Sequence, residues 1–277
     1  AKEMATLKSL VVSVKLMPLL SKSLEIDSFV LKEPVINLEV DKAGKNNWSM
    51  GQAGGKPAAG GGGGAPQGSI KLGDVRLVDG KISYVNRQTG DKYQLDDVDA
   101  QVKLPSMESP LAVNGSAVFN KEKIELTLNT GPLSKLMAGD KTTVTKKLVS
   151  KHLNAEFNGD VTMKQALAAA GTVSLSTPSI KDLAAWAGKP MANVQPNTMG
   201  KFALSGKVAV TDKKFDFTDA KIAVDAINAT GALSVNNANP AKPVVNGKLD
   251  VDKLDLNPYL GPEQPAAAQP AGGAGGA

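Results

Sequence analysis

Apolar residues recur at every second position over most of this chain, and a glycine opens many of these runs. Gly206-Lys-Val208-Ala-Val210, Gly231-Ala-Leu233-Ser-Val235 and Gly247-Lys-Leu249-Asp-Val251 are three of them. Gly80-Lys-Ile82-Ser-Tyr84, Gly115-Ser-Ala117-Val-Phe119, Gly159-Asp-Val161-Thr-Met163 and Gly171-Thr-Val173-Ser-Leu175 repeat the pattern upstream. A period of two marks a strand with one dry face and one wet face. Polar turns such as Thr211-Asp-Lys-Lys214 separate the runs. The pattern therefore predicts one unit, a strand of an antiparallel meander, used repeatedly. A glycine at the start of such a strand marks a turn, a bulge or a bend of the sheet.

Alternation predicts strands over residues 10–16, 24–30 and 35–40, then 70–77, 81–85, 93–104, 111–119 and 123–128. After a break it resumes at 153–163, 171–176, 201–210, 215–217, 221–227, 229–235 and 244–256. Helix signals are few. Ser179 is a cap candidate before Ile180, Leu183, Ala184 and Ala187, and Gly188 is a stop. Residues 131–137 and 163–170 are each expected to form about two turns. The expected fold is mainly β: a long antiparallel, curled sheet of the repeating β-groove type with a few short helices. So little helix cannot roof so much sheet, so the dry face meets another sheet, curls on itself or stays open for an apolar ligand.

Residues 1–50 are expected as an N-terminal sheet element of their own. Residues 51–68 (GQAGGKPAAGGGGGAPQG) hold nothing to bury and read as a flexible linker. Residues 69–261 form the β-rich body, and 262–277, rich in Ala, Gly and Pro, a disordered tail. At 277 residues the chain is long enough for one large domain or two ordinary ones.

Composition sharpens this picture in three ways. Only 4% of residues are aromatic against 42% hydrophobic, so the dry face is lined by Val, Leu, Ile and Ala. The formal charge of +5 comes from Lys, with Arg only at Arg76 and Arg87. A nucleic-acid surface would cluster Arg among aromatics, and no such cluster exists, so no nucleic-acid partner is expected. The chain has no Cys, which suits a reducing or an oxidising compartment. It opens at Ala1 on a strand pattern, without a signal peptide or an apolar run of transmembrane length. A fragment with its targeting segment upstream is expected.

Catalytic chemistry finds little support. His152 is the sole histidine, and no Ser or Cys stands in a nucleophile elbow or triad setting; it reads as a polar residue beside a loop. Asp97-Val-Asp99 and Asp250-Val-Asp252 place carboxylates two apart, but Ca²⁺ needs six to eight oxygens and a glycine-bearing loop, so they read as solvated side chains. The glycine runs lack the GxxxxGK[ST] pattern and lead into strands, which excludes a phosphate loop. Trp48 and Trp186 read as anchors of their local units. No enzyme activity, metal or cofactor is expected.

What remains is the apolar stripe. A palmitoyl chain in water costs about 13 kcal/mol, at about 0.8 per methylene, so a carrier must offer it a dry path. The candidate lining is Ile82, Phe119, Val161, Val173, Val208, Val210, Leu233, Val235, Leu249 and Val251. An ordinary sandwich core fits the same pattern.

Pro18-Leu-Leu, Leu24-Glu-Ile26, Pro34-Val-Ile-Asn-Leu38 and Gly44-Lys-Asn-Asn47-Trp48 resemble the N-terminal signature of the AsmA family. Further matches follow in order. They are Val75-Arg-Leu-Val-Asp-Gly80-Lys-Ile-Ser-Tyr84 with Thr89-Gly90, and Ser109-Pro110-Leu111 leading to Gly115. Ser179-Ile-Lys-Asp-Leu-Ala-Ala-Trp186 and Leu254-Asp-Leu-Asn-Pro-Tyr259-Leu260 complete the set. The resemblance implies a Gram-negative envelope protein, anchored in the inner membrane by an upstream helix and extending into the periplasm. It implies kinship with chorein- and TamB-type bridge proteins, whose β units build a groove with an apolar floor for phospholipid acyl chains. It also implies a role in outer-membrane assembly, with an outer-membrane or envelope protein as partner, and carries no catalytic residue over. The alternative from another class is an assembly-factor domain that regulates protein targeting to the outer membrane through strand-edge contacts.

Overall fold

The computed structural model describes residues 3–15, 26–48, 72–164, 166–239 and 242–260. The expected turn at 17–21, the linker at 51–68 and the tail at 262–277 lie outside them. Of the described residues, 61% are in strands and 7% in helical turns, and all the strands belong to one curled, unclosed sheet of fifteen.

Four short strands come first: β1 (Ala5–Thr6), β2 (Ser9–Val14), β3 (Ile26–Lys32) and β4 (Val35–Val40). The body opens with β5 (Leu72–Asn86), β6 (Lys92–Leu104), β7 (Pro110–Phe119) and β8 (Glu122–Pro132). After the single-turn helix α1 (Leu133–Met137) come β9 (Thr142–Ser150), β10 (Asn154–Thr162) and β11 (Ala168–Thr177). Helix α2 (Ile180–Trp186) precedes β12 (Phe202–Val210), β13 (Lys214–Val224), β14 (Ile227–Asn236) and β15 (Val244–Val251). A 3₁₀ turn at Asn257–Tyr259 ends the described chain.

From β5 to β15 each strand pairs antiparallel with the next in sequence. Ten strand spacings of about 4.8 Å make this meander about 48 Å wide. The N-terminal strands, expected as a separate unit, are continuous with it. β3 and β4 lie end to end along one edge of β5, and both run parallel to it. The antiparallel expectation thus fails at these two contacts. A parallel pair needs a long return connection, and the chain between Val40 and Leu72 has the length for one.

Several other expectations need correction. β9 was absent from the predicted strands. The described residues of 163–170 are not helical, and β11 begins at Ala168. The pairs 70–77/81–85 and 215–217/221–227 are single strands, β5 and β13, each interrupted by a bulge. Asp79 (φ 54°) and Asp219 (φ 52°) adopt the left-handed conformation at those bulges, as does Asp97 (φ 48°) in β6. Each bulge inserts a residue and shifts the in/out alternation by one. The glycines stand inside strands rather than at their starts. Gly159 faces Gly171 across β10 and β11; a methyl group on Gly159 would lie 2.6 Å from the Gly171 Cα. Only glycine lets the two backbones come this close on the apolar side.

Among the described residues the buried apolar side chains are Val98, Ala117, Phe217, Ala220 and Ala229. A two-layer sandwich of this width would bury many times that number. Among the described residues no second layer covers the apolar face, which speaks against the sandwich core left open by the sequence. The sheet is a gutter.

Candidate functional site

The strand registers show how one face stays apolar across the meander. Val161 pairs with Ala169, Ala169 with Val210, Val210 with Phe215, Phe215 with Val235 and Val235 with Val245. The adjacent row runs through Gly171, Val208, Phe217 and Leu233. The next contains Phe157, Val173 and Gly206, and continues beyond the β13 bulge through Ala220, Gly231 and Leu249. Leu175, Leu204, Ile222, Ala229 and Val251 follow. Cross-strand partners point to the same side of a sheet. Eight of the ten residues expected to line a dry path therefore share one face of β10–β15.

Ile82 and Phe119 lie nearer the other end on the same face. Ile82 sits between Ile36 and Leu95, and the Phe119 ring lies 6.4 Å from that of Tyr93. The opposite face carries Lys and Asp: Lys207 meets Asp219 at 2.8 Å, Lys81 meets Asp96 at 3.0 Å, and Lys141 meets Asp160 at 2.8 Å. Hydrogen bonds from Lys207 and Lys214 hold the Asp219 and Asp216 carboxyls below their usual range. These pairs are exposed, and their effect is to keep that side wet.

Over β11–β15 the apolar face holds a concavity of about 670 Å³. Val173, Val208, Leu233 and Leu249 line it, together with Leu204, Phe215, Phe217 and Ile222. The last four were missed as site residues. The repeat Phe215-Asp-Phe217 was visible, but the bulge at Asp219 hid its continuity with Ile222. Val210, Val235 and Val251 lie on the same face outside the concavity lining. The face is far from covered: Leu233 is 39% exposed, Leu249 58% and Val245 61%. The volume falls in the range of ligand-binding cavities, and the lining is almost wholly apolar.

One lip of the gutter is aromatic. Rings follow one another from Trp48 to Tyr84 (6.3 Å), Tyr93 (6.1 Å), Phe119 (6.4 Å) and Trp186 (5.3 Å). Helix α2 brings in the last of these. Its N-cap is Ser179, whose hydroxyl accepts the Asp182 N–H at 3.1 Å, as the sequence predicts. Trp186 Nε1–H donates to the Phe119 carbonyl at 2.9 Å, and the Asn120 side chain donates to the Trp186 carbonyl at 2.6 Å. Trp186 is thus an anchor to a strand far upstream, not to its own unit. His152, read from the sequence as a polar residue beside a loop, stacks on Trp186 at 5.3 Å, with Nε2 3.7 Å from Glu122. A hydrogen bond from Lys151 holds the Glu122 carboxyl below its usual range.

At the far end, the Tyr259 hydroxyl donates to Asp225 at 2.6 Å, and the other Asp225 oxygen accepts the Gly200 N–H at 2.9 Å. The bond and partial burial push the Tyr259 pKa up to about 12. This clamp ties the segment after β15 to the β13–β14 turn. The paired aspartates act as surface and bulge residues. Asp250 meets Lys248 at 3.1 Å, Asp99 accepts the Asp79 N–H at 3.2 Å, and Asp97 is a bulge residue.

Among the described residues no helix is long and apolar enough to cross a membrane. No curated protein and no solved structure matches the chain. The model of the AsmA family matches residues 1–185, from the first strands into α2, while the sheet continues in the same meander to β15. With about two thirds of its length matched by that model, this chain belongs to the AsmA family.

Proposed function

We propose that this chain is a lipid-shielding segment of an envelope protein, which holds phospholipid acyl chains against its sheet during transport between the inner and outer membranes. One observation carries the reading: an apolar face that runs across the meander, with no second layer on it among the described residues. In water such a face is costly, and acyl chains are ligands whose own transfer from water is favourable by about 0.8 kcal/mol per methylene. Family membership supports a setting in envelope lipid transport. In this reading the segment works in the periplasm, attached to the inner membrane by a part of the protein upstream of Ala1. The role is one of binding rather than catalysis, and supports outer-membrane assembly by supplying lipid.

A second reading rests on β15. All eight of its residues are exposed, and its outer edge is unpaired among the described residues. Such an edge adds strands from a protein partner, as an assembly-factor domain requires.

Native mass spectrometry with lipid extraction on the purified chain separates the two. Val208 lines the concavity, while the adjacent Lys207 faces outward. Under the lipid reading Val208→Asp lowers phospholipid occupancy by about tenfold or more, and Lys207→Asp leaves it nearly unchanged. Equal losses, or a protein that stays lipid-free after incubation with phospholipid vesicles, would move the conclusion to the β15 edge.

A further inference from the structure

One charged side chain interrupts the apolar floor. Lys146 is the central residue of β9, and its register partners are Leu128 on one side and Phe157 on the other. Along β9 its neighbours on the same face are Val144 and Leu148. Its position in the register is therefore that of a floor residue. The adjacent Lys147, which pairs with Thr127 and Glu156, belongs to the wet face. Lys146 is exposed, and none of the ion pairs or side-chain hydrogen bonds among the described residues involves its ammonium. Across β5–β15 no other Lys, Arg, Asp or Glu stands on this face away from a strand end.

An ammonium in an open, wet gutter is hydrated at no cost. The balance changes once acyl chains fill the floor and displace that water, because an unpaired cation against hydrocarbon is among the most expensive arrangements in a protein. An anionic group brought in by the occupant removes the penalty, and charge-assisted pairing adds to it. We propose that Lys146 is an anion-pairing site in the gutter floor that takes the phosphate of an anionic phospholipid, and so gives the passing lipid both a preferred class and a resting position at β9. The inference rests on the lipid-shielding reading and adds headgroup selectivity to it. The occupant is a lipid phosphate rather than a free one, because every neighbour of Lys146 on this face is a hydrocarbon surface suited to acyl chains.

The test loads the full chain from vesicles of equimolar phosphatidylglycerol and phosphatidylcholine with matched acyl chains, then quantifies bound lipid by extraction and mass spectrometry. Wild type is expected to enrich phosphatidylglycerol roughly tenfold over phosphatidylcholine. Lys146→Met, which keeps the length of the side chain and removes its charge, erases the enrichment while total lipid per protein stays constant. Lys146→Arg keeps the enrichment. Circular dichroism of each variant confirms that the sheet is intact. Absence of enrichment in wild type, or its persistence in Lys146→Met, overturns the proposal and leaves lipid shielding standing. Absence of any bound lipid in wild type overturns both.

Discussion

Replacing Gly159 with alanine tests whether close backbone approach is what lets the sheet curl. The added methyl carbon would lie 2.6 Å from the Gly171 Cα and 2.8 Å from the tip of the Phe157 ring, and it would clash more severely with the Ala170 carbonyl oxygen. Carbon–carbon contacts settle near 3.5–4.0 Å, so β10 and β11 must part locally by about 1 Å. Overpacking of this kind costs roughly 1–3 kcal/mol. Stretching one or two ladder hydrogen bonds beside it adds about 1 kcal/mol each. The expected loss is roughly 2–5 kcal/mol, a large share of a typical folding stability of about 5–15 kcal/mol. Gly247 supplies the control within the same sheet. A methyl there meets the Ala232 oxygen at 3.3 Å and Leu233 Cδ1 at 3.4 Å, within a few tenths of an ångström of ordinary contact. Gly247→Ala is therefore expected within about 1 kcal/mol of wild type, and a gain is allowed because alanine restricts the unfolded chain. Urea unfolding followed by circular dichroism measures both, with unchanged m-values as the check that the same surface unfolds. If Gly247→Ala is as damaging as Gly159→Ala, clearance is not what selects glycine here, and the account of the curl is wrong.

Two further outcomes follow from the ends of the gutter. Trp186→Ala removes the ring contact with Phe119, the stack on His152 and the bond to the Phe119 carbonyl. A stability loss of roughly 2–4 kcal/mol is expected, with faster hydrogen exchange concentrated in α2; uniform acceleration across the sheet would argue against a local anchor. Tyr259 holds its proton more tightly in the folded state than the ordinary value of 10.0, with its pKa pushed up to about 12. Its contribution is therefore complete below pH 10 and fades as pH rises through about 12. The difference between the ultraviolet titrations of wild type and Tyr259→Phe is expected to have its midpoint near 12, and a midpoint near 10 would show the Asp225 clamp to be absent in solution.

The side on which a residue lies was legible wherever alternation ran unbroken. Val208, Leu233 and Leu249 were placed correctly because their flanking residues, such as Lys207 and Lys248, are polar and a strand has only two sides. Legibility ended where a residue was inserted. In β13 the apolar positions run Phe215, Phe217, Ala220, Ile222, a step of three in a period of two, so one strand read as two. β9 was lost for a different reason. Lys146 occupies a position where the pattern demands an apolar residue, so the local statistics pointed away from a half-dry strand. The landing of α2 was invisible as well. Its Ser179 cap and apolar stripe are local properties, whereas the bond from Trp186 to Phe119 spans 67 residues and depends on how far the intervening strands curl. The parallel docking of β3 and β4 onto β5 is likewise a choice between edges that alternation treats as equivalent.

The uninterrupted order from β5 to β15 has a consequence for how the molecule is made. Beyond β5, which also holds β3 and β4, each strand in that run pairs only with the one before it and the one after it, so no strand pairing there waits for a distant part of the chain. Folding such a structure resembles closing a zip from one end, with short loops at every step but the helix-bearing connection from β11 to β12. A chain emerging N-terminus first from a ribosome or a membrane channel can add each hairpin to an edge that already exists. The same one-dimensional logic governs length: inserting or deleting a hairpin would change the reach of the gutter by about 10 Å while leaving every other pairing intact. Under the lipid-shielding proposal, reach is then a matter of counting strands, and evolution can adjust it without inventing a new fold.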